Sequence, residues 1–342
     1  MKKLFTILLF GFIGVCAMYL NMACTAKSPS APNFQSPLQT IVAINPTITP
    51  TFTFTPTLTF TPTPVITPTP FATTTFGGFN GPSGVAVDST GNVYVADTGN
   101  NAVKKYTSGG VLVTSWGDGG KGKGKISFTT PKAVAVDSTG ILYVVGSGTN
   151  GVNKYDAFGN FLIQFTSAAA TAFAGPQGVA VDSGNNVYVS DTGNNRIVKM
   201  NSSGTPDPTF GTGGVVPQPV TFYGLAIDSN FDLAVACGDN QVRFFNSTTG
   251  SAGITIPGFV NPGDVAFDSG NNLYVADTGN RQIEEFSYGS VGSGWVQTPV
   301  NVFNDGGQLI SPKGIAVVNT GIQAGTLYVT DAGGTGVFVF AP

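Results

Sequence analysis

One eighteen-residue phrase constrains this chain more than any other feature: "GVAVDSTGNVYVADTGNN" at residues 84–101 returns almost unchanged as "GVAVDSGNNVYVSDTGNN" at residues 178–195. Each copy has the pattern of two short strands and two turns. Asp opens each turn and Gly supplies a positive φ, first in "DSTGN" and again in "DTGNN". The same frame recurs behind Pro82, Pro131, Pro176, Pro262 and Pro312, each two residues ahead of an apolar strand, and "TFYGLAID" fits it with Phe222 in the proline's place. Intervals of 49, 45, 46, 40 and 50 residues separate the six units. Repetition at this period predicts a solenoid or a propeller.

Strand chemistry decides between the two. Segments such as "GVAVD" and "VYVAD" are β-branched and aromatic without strict polar alternation, so both of their faces need cover. Neighbouring sheets stacked face to face provide it. A third strand follows ("AVKKY", "RIVKM"), then a fourth ("VLVTSWG", "FLIQFT"). Four antiparallel strands make a propeller blade, whereas a solenoid unit of this length ordinarily carries helix. In units one, three and five, the run P-x-G-V-A-V-D through N-V-Y-V-A-D-T-G-N-N-x-[IV]-x-K resembles the NHL repeat family, and the resemblance covers residues 71–342. It implies an all-β fold: a six-bladed β-propeller of four-stranded antiparallel blades.

The sixth unit, "KGIAVVNTGIQAGTLYVTDAGGTGVFVFAP", stops after three strands. The missing one is predicted in "PFATTTFGGFNGP", ahead of unit one, which ends like the fourth strands elsewhere. Closure of the last blade by this N-terminal strand removes open sheet edges.

Residues 1–23 join Lys2 and Lys3 to an uncharged apolar run at 4–20 and then to small residues, which is the build of an export signal. "NMAC" resembles a bacterial lipoprotein cleavage box with Cys24 as the acylated residue, although Asn21 stands where Leu is usual. Cleavage after Ala26 and an uncleaved anchor are the alternatives, the apolar run being at the short limit for spanning a bilayer. Residues 24–70 are rich in Pro and Thr and almost uncharged, which predicts an extended stalk. At ~3.1 Å per residue it reaches roughly 130 Å, and its Thr density suits O-glycosylation. The expected location is extracytoplasmic: a cell-envelope lipoprotein, alternatively a secreted protein. With Cys16 removed and Cys24 acylated, Cys237 has no disulfide partner within the chain, and its apolar surroundings make it a small buried residue.

Composition narrows the chemistry. The chain contains no His, which removes the Ser-His-Asp arrangement, the usual zinc ligand sets and the commonest neutral-pH general base. Propeller lyases and lactonases that resemble this fold employ metal or catalytic histidines, so that chemistry does not carry over. No G-x-S-x-G is present. "GDGGKGKGK" places Gly117, Gly122 and Lys123 at phosphate-loop spacing, but residue 124 is Gly rather than Ser or Thr, and strands flank both sides. It is predicted to connect blades one and two, with Lys121, Lys123 and Lys125 in solvent. The formal charge of −3 becomes −5 once cleavage removes Lys2 and Lys3, leaving 13 basic residues (15 − 2) against 18 acidic. That balance and the export signal argue against a nucleic-acid partner, although intracellular members of the family bind RNA. No cofactor is called for; calcium is the cation that turn carboxylates and carbonyls suit, yet the turns lack the spaced acids of an EF-hand loop.

Departures from the repeat are the better clues. Tyr94, Tyr143, Tyr188, Tyr274 and Tyr328 are equivalent, and unit four has Ala234. Asp97, Asp191, Asp277 and Asp331 are equivalent, with Gly146 and Cys237 in units two and four. Either Phe222, Tyr223 and Phe231 fill the space of the missing ring, or a cleft lies beside unit four. The expected function is that of a monomeric, non-enzymatic binding or scaffold propeller for a protein or cell-envelope polymer, touching the membrane only through its anchor. Loops after the second strands and between blades share one face. Candidate contacts there are Asn100, Asn101, Asn194, Arg196, Asn280 and Arg281, with Lys121, Lys123 and Lys125. The alternative is an extracytoplasmic carboxylate-dependent hydrolase or lyase acting on a sugar or other polymer through Asp pairs at the channel mouth. Glu284 and Glu285 are unsuited to such a pair, since neighbours on a strand point to opposite faces.

Overall fold

Six four-stranded antiparallel sheets stand around a central channel in the computed structural model, which describes residues 74–116, 128–146, 148, 150–230, 232–287, 298–321 and 323–341. Blade one comprises Val85–Val87, Val93–Asp97, Ala102–Tyr106 and Leu112–Trp116 in spatial order. Blade two is built from Pro131–Val136 to Phe161–Phe165, blade three from Gly178–Val181 to Val215–Pro217, blade four from Phe222–Ile227 to Ala252–Pro257, and blade five from Asp264–Phe267 to Asn301–Phe303. Each inner strand packs on the inner strands of both neighbouring blades, blade six against blade one included. The ring is therefore closed.

Second strands explain why the sequence shows no polar alternation. "VYVAD", "LYVVG", "VYVSD", "LYVAD" and "LYVTD" are buried at every position, because each lies mid-blade with a neighbouring blade on either face.

Blade six consists of Pro312–Val317, Leu327–Asp331 and Gly336–Phe340, completed on the outside by Thr74–Gly77. Thr74 stands opposite Val339 and Gly77 opposite Gly336. Aromatic packing reinforces this seam: the Phe76 and Phe79 rings lie 4.9 and 5.4 Å from that of Tyr106 in blade one, and Phe76 also meets Tyr328 in blade six. Lys104 of blade one donates to the Gly78 carbonyl at 2.7 Å.

The repeated turns have two separate jobs. After the inner strand, Asp88 Oδ1 accepts from the amides of Thr90 and Asn92, while its Oδ2 accepts from Asn92 Nδ2 at 2.8 Å and the Tyr94 hydroxyl at 3.1 Å. Asp182 and Asp268 repeat the set with Asn186 and Tyr188, and with Asn272 and Tyr274. The spacing Asp, Asn four later, Tyr six later is thus a self-contained hydrogen-bonded turn.

The "DTGN" turn after the second strand binds blades to one another. Asp97 Oδ1 accepts from Asn80 N, and Thr98 Oγ1 donates to the Pro131 carbonyl of blade two at 2.6 Å. Thr192 and Thr278 make the same reach to Phe222 O and Pro312 O. Gly99 sits so close to the incoming loop that a β-carbon would lie 2.5 Å from Asn80 O, and its amide donates to that carbonyl. One hairpin is written repeatedly because each copy ties its blade to the next.

Blade four resolves its missing tyrosine differently from the sequence expectation. Ala234 pairs in register with Phe244, where blade one pairs Tyr94 with Lys105, so an aromatic ring on the third strand replaces the one lost from the second. Phe222 packs elsewhere, against Cys237 and Phe245, and Phe231 lies outside the described residues. The exchange leaves Asp228 Oδ2 buried without the Tyr and Asn donors that its counterparts have, and burial raises this carboxyl above the usual range. Cys237 is a free, buried thiol, pushed up to about 12 by burial.

Candidate binding site at the channel mouth

Inner strands begin on the face that carries the "DTGN" turns, and they begin with an irregularity. The Ser83 amide donates to Ala96 O while the Ala96 amide donates to Gly84 O, so two residues of the inner strand face one of its partner. Register shifts mark the same bulge between Pro131 and Ala133, Phe222 and Leu225, and Pro312 and Gly314. A bulge turns an extra side chain out of the ladder. Here the residue after each proline position is turned toward the channel: Ser83, Lys132, Gln177, Tyr223 and Lys313, with Gly263 in blade five.

These residues line a cavity of about 160 Å³ at the mouth, which continues into a channel of about 210 Å³ walled by all six inner strands. Below the mouth the wall's side chains are apolar apart from Asp264, with Val85, Val134, Val179, Leu225, Val265 and Ile315 at matching levels, and its polar surface comes from the backbone edges of the inner strands. Polar side chains are therefore concentrated in the collar.

Asp264 departs from the repeat most sharply. It occupies the position held by Gly84, Ala133, Gly178, Gly224 and Gly314 in the other blades. Gly224 provides the room, since a β-carbon there would lie 1.8 Å from Asp264 Oδ1. Oδ1 accepts from Val265 N at 2.9 Å and Oδ2 from Ile315 N of blade six at 3.2 Å. Although Asp264 keeps some exposure to the cavity, the protein around its carboxyl is dense; burial pushes it up to about 7 against the pull of those two amides. Lys313 is held below the usual lysine range, first by burial and then by the nearby Lys132 ammonium.

The loop residues singled out from the sequence sit on this same face but engage mainly in internal bonds. Asn100 donates to Asp97 Oδ2 at 2.8 Å, Asn280 to Asp277 Oδ2 at 2.6 Å, and Asn194 to Asp191 Oδ2 and the Ala172 carbonyl. Asn101 Oδ1 accepts from Thr130 N and so clamps the loop into blade two. Arg196 is buried: its Nε lies 2.6 Å from Asp191 Oδ2, and its guanidinium donates to Ala168 O and Thr171 O of the small hairpin Ser167–Ala168 with Thr171–Ala172. Arg281 is exposed. Lys121, Lys123, Lys125 and Cys24 lie outside the described residues.

One carboxylate, Asp264, lines the mouth. The repeated Asp97, Asp191, Asp277 and Asp331 are buried beneath the loops and accept their amides. Blade five nevertheless holds a carboxyl pair outside the mouth. Glu284 faces Asp277, where Lys104 faces Asp97 in blade one, and burial followed by Asp277 pushes Glu284 up to about 7. Glu285 turns the other way, accepting from Asn301 Nδ2 at 2.6 Å.

The mouth escaped sequence reading although a signal for it existed. Aligning the residue after each proline and the next one gives Ser-Gly, Lys-Ala, Gln-Gly, Tyr-Gly, Gly-Asp and Lys-Gly, and the first column varies while the second breaks once. What the alignment lacks is the bulge that directs the first column inward.

Residues 79–106, 173–200 and 259–286 match the NHL repeat. This chain carries NHL repeats on a six-bladed propeller. No curated protein matches its sequence. Among solved structures, a streptogramin B lyase is similar at 14% identity and a TM-score of 0.55, covering 79% of this chain and 86% of its own. A catalytically inactive virginiamycin B lyase from Staphylococcus aureus with quinupristin is similar at 13% identity and a TM-score of 0.54, over 76% of this chain and 80% of that one. A nidogen/laminin complex contributes a chain with 17% identity and a TM-score of 0.55, over 70% of this chain and 86% of that one. At such identities the likeness is one of fold.

Proposed function

We propose that this NHL-repeat protein is an extracytoplasmic, non-enzymatic binding propeller that takes its ligand at the channel mouth. Residues 24–70 act as its stalk and acylated Cys24 as its anchor. The carrying observation is the division of polar groups on one face. Loop asparagines and aspartates are consumed by bonds within their own turns and to neighbouring loop amides, whereas Lys132, Gln177, Tyr223 and Lys313 are turned into a cavity at the bulged starts of the inner strands. Side chains presented on rigid inner strands suit recognition, since little ordering cost remains to be met on binding.

Capture from envelope extracts on the immobilised full chain tests this. A partner retained by wild type and by Asp264→Asn, but released when Tyr223 is changed to Ala, supports binding at the mouth; retention by every mouth variant refutes it. Fractionation of cells expressing Cys24→Ala tests the anchor, and protein remaining in the membrane pellet refutes lipidation.

One observation favours a hydrolase or lyase as the second reading: burial raises the Asp264 carboxyl to about 7, so that it can both hold and release a proton near neutral pH, and it shares the cavity with Tyr223. Turnover of a polymer that collapses in Asp264→Asn while capture persists would establish it in place of the first.

A further inference from the structure

Two lysines share the mouth, and neither is in ion-pair contact with Asp264, the carboxyl group of the same lining. Blades two and six flank blade one, so Lys132 and Lys313 approach the cavity from either side of Ser83, whose short side chain leaves the space between them open. Of the other described basic residues, Lys104, Lys105, Arg196, Lys199 and Arg243 have a carboxylate partner within 4.0 Å, Lys154 donates to the Ser202 carbonyl over the Tyr143 ring, and Arg281 is exposed to water. Lys132 and Lys313 have no carboxylate partner among the described residues, and Asp264 accepts backbone amides instead. Two ammonium groups in a half-buried collar repel each other, a cost that a monomeric fold gains nothing by keeping.

We propose that the channel mouth binds an oxyanion, a carboxylate or a phosphate, seated over Ser83 between the ammonium groups of Lys132 and Lys313. The proposal rests on the binding role above and names the chemistry of its ligand. An anion there removes the lysine repulsion and gains two charge-assisted hydrogen bonds in a site partly screened from water. Gln177, Tyr223 and Asp264, on the opposite side of the ring, then meet the remainder of the ligand. Asp264 in its neutral form donates a hydrogen bond, and in its ionised form opposes the anion. For a carboxylate ligand, whose own charge is constant in this range, affinity should therefore fall as pH rises through about 7, whereas a phosphate gains its second charge there and offsets the fall; Lys132, Lys313 and Tyr223 are the other titratable groups lining the cavity.

The test titrates the full chain with sodium phosphate and, separately, sodium glucuronate at constant ionic strength and pH 6, reading calorimetric heats and the melting midpoint. Saturable binding of at least one is expected, weakened tenfold or more by Lys132→Gln or Lys313→Gln and abolished by the double variant. Arg243→Gln, in a half-buried ion pair of blade four outside the cavity lining, should leave it unchanged. Without added anion the lysine variants should melt no lower than wild type, which separates lost binding from lost folding. Saturation by phosphate alone identifies a phosphate ligand, and by glucuronate alone a carboxylate. Absence of saturation with both, or wild-type affinity in the double variant, overturns the proposal. If that variant still captures the same envelope partner, the oxyanion is refuted while the binding role stands.

Discussion

Blades one and five have nearly the same sequence and backbone, yet they meet neutral pH in opposite ways. In blade one, Asp97 faces Lys104 at 2.7 Å and the inner strand opens with Gly84. In blade five, Asp277 faces Glu284 and the inner strand opens with Asp264. Blade one satisfies its buried charge, whereas blade five keeps two carboxyls that burial holds protonated up to about 7. A repeated scaffold can therefore be tuned one blade at a time, since each turn completes its own hydrogen bonds and only the side chains between blades need to change.

The seam borders blade one and leaves blade five alone, and its loss should have the largest effect. Deleting residues 71–79 removes the closing strand with the half-buried Phe76 and the buried Phe79, and loss of a buried Phe alone costs ~3–5 kcal/mol. With the strand's ladder bonds also gone, the loss is a large share of a domain's stability. Cooperative melting should be lost, with hydrogen-exchange protection failing first in blades one and six. Unchanged melting would refute closure as the source of stability.

Lys104→Ala leaves the fully buried Asp97 carboxylate without its cation and should cost ~2–4 kcal/mol by denaturant titration. In blade five the corresponding change runs the other way. Glu284→Lys rebuilds the blade-one pair and should raise the melting midpoint at pH 8, where wild type must force the Asp277 and Glu284 carboxyls apart.

The pH profile follows from the same contrast. Asp264 and Glu284 titrate higher in the folded chain than in the unfolded one, so the unfolded state releases protons first as pH rises. Stability is fullest below about pH 4 for these groups and declines until about pH 7. Asp264→Asn and Glu284→Gln should each flatten the decline and gain ~1–3 kcal/mol at pH 8. A profile unaltered by both variants would contradict the assignment.

The smallest effect tests what the two blades share. Thr98→Val and Thr278→Val each delete one blade-to-blade hydrogen bond, to Pro131 O or Pro312 O, and leave that carbonyl wanting. Both should cost ~1–2 kcal/mol, and equally. A large inequality would mean that the stitches are not equivalent.

Much of the architecture was legible because its causes are local or periodic. "DSTGN" and "DTGNN" specify their turns through Asp and Gly within a few residues, five proline-led strands and one led by Phe222 give the blade number, and a unit short of one strand points to "PFATTTFGGFNGP", within which residues 74–77 form the completing strand. The blade-four exchange was harder, since the ring that replaces the missing tyrosine is Phe244, ten residues beyond Ala234 and opposite it only once the third strand is paired. The roles of Asn101 and Arg196 were illegible for a similar reason, their partners Thr130 and Ala168 lying 29 and 28 residues away in other elements.

Short-range turn chemistry and strand period are written along the chain, and they suffice for the repeat, the six blades and the seam. The mouth arises only in the folded ring. Lys132, Asp264 and Lys313 are separated by 132 and 49 residues (264 − 132 and 313 − 264), and they become neighbours through ring closure and the bulges that turn side chains inward. The carboxyl of Asp264 owes its proton to that enclosure, since burial is a property of the assembled ring and of no single segment.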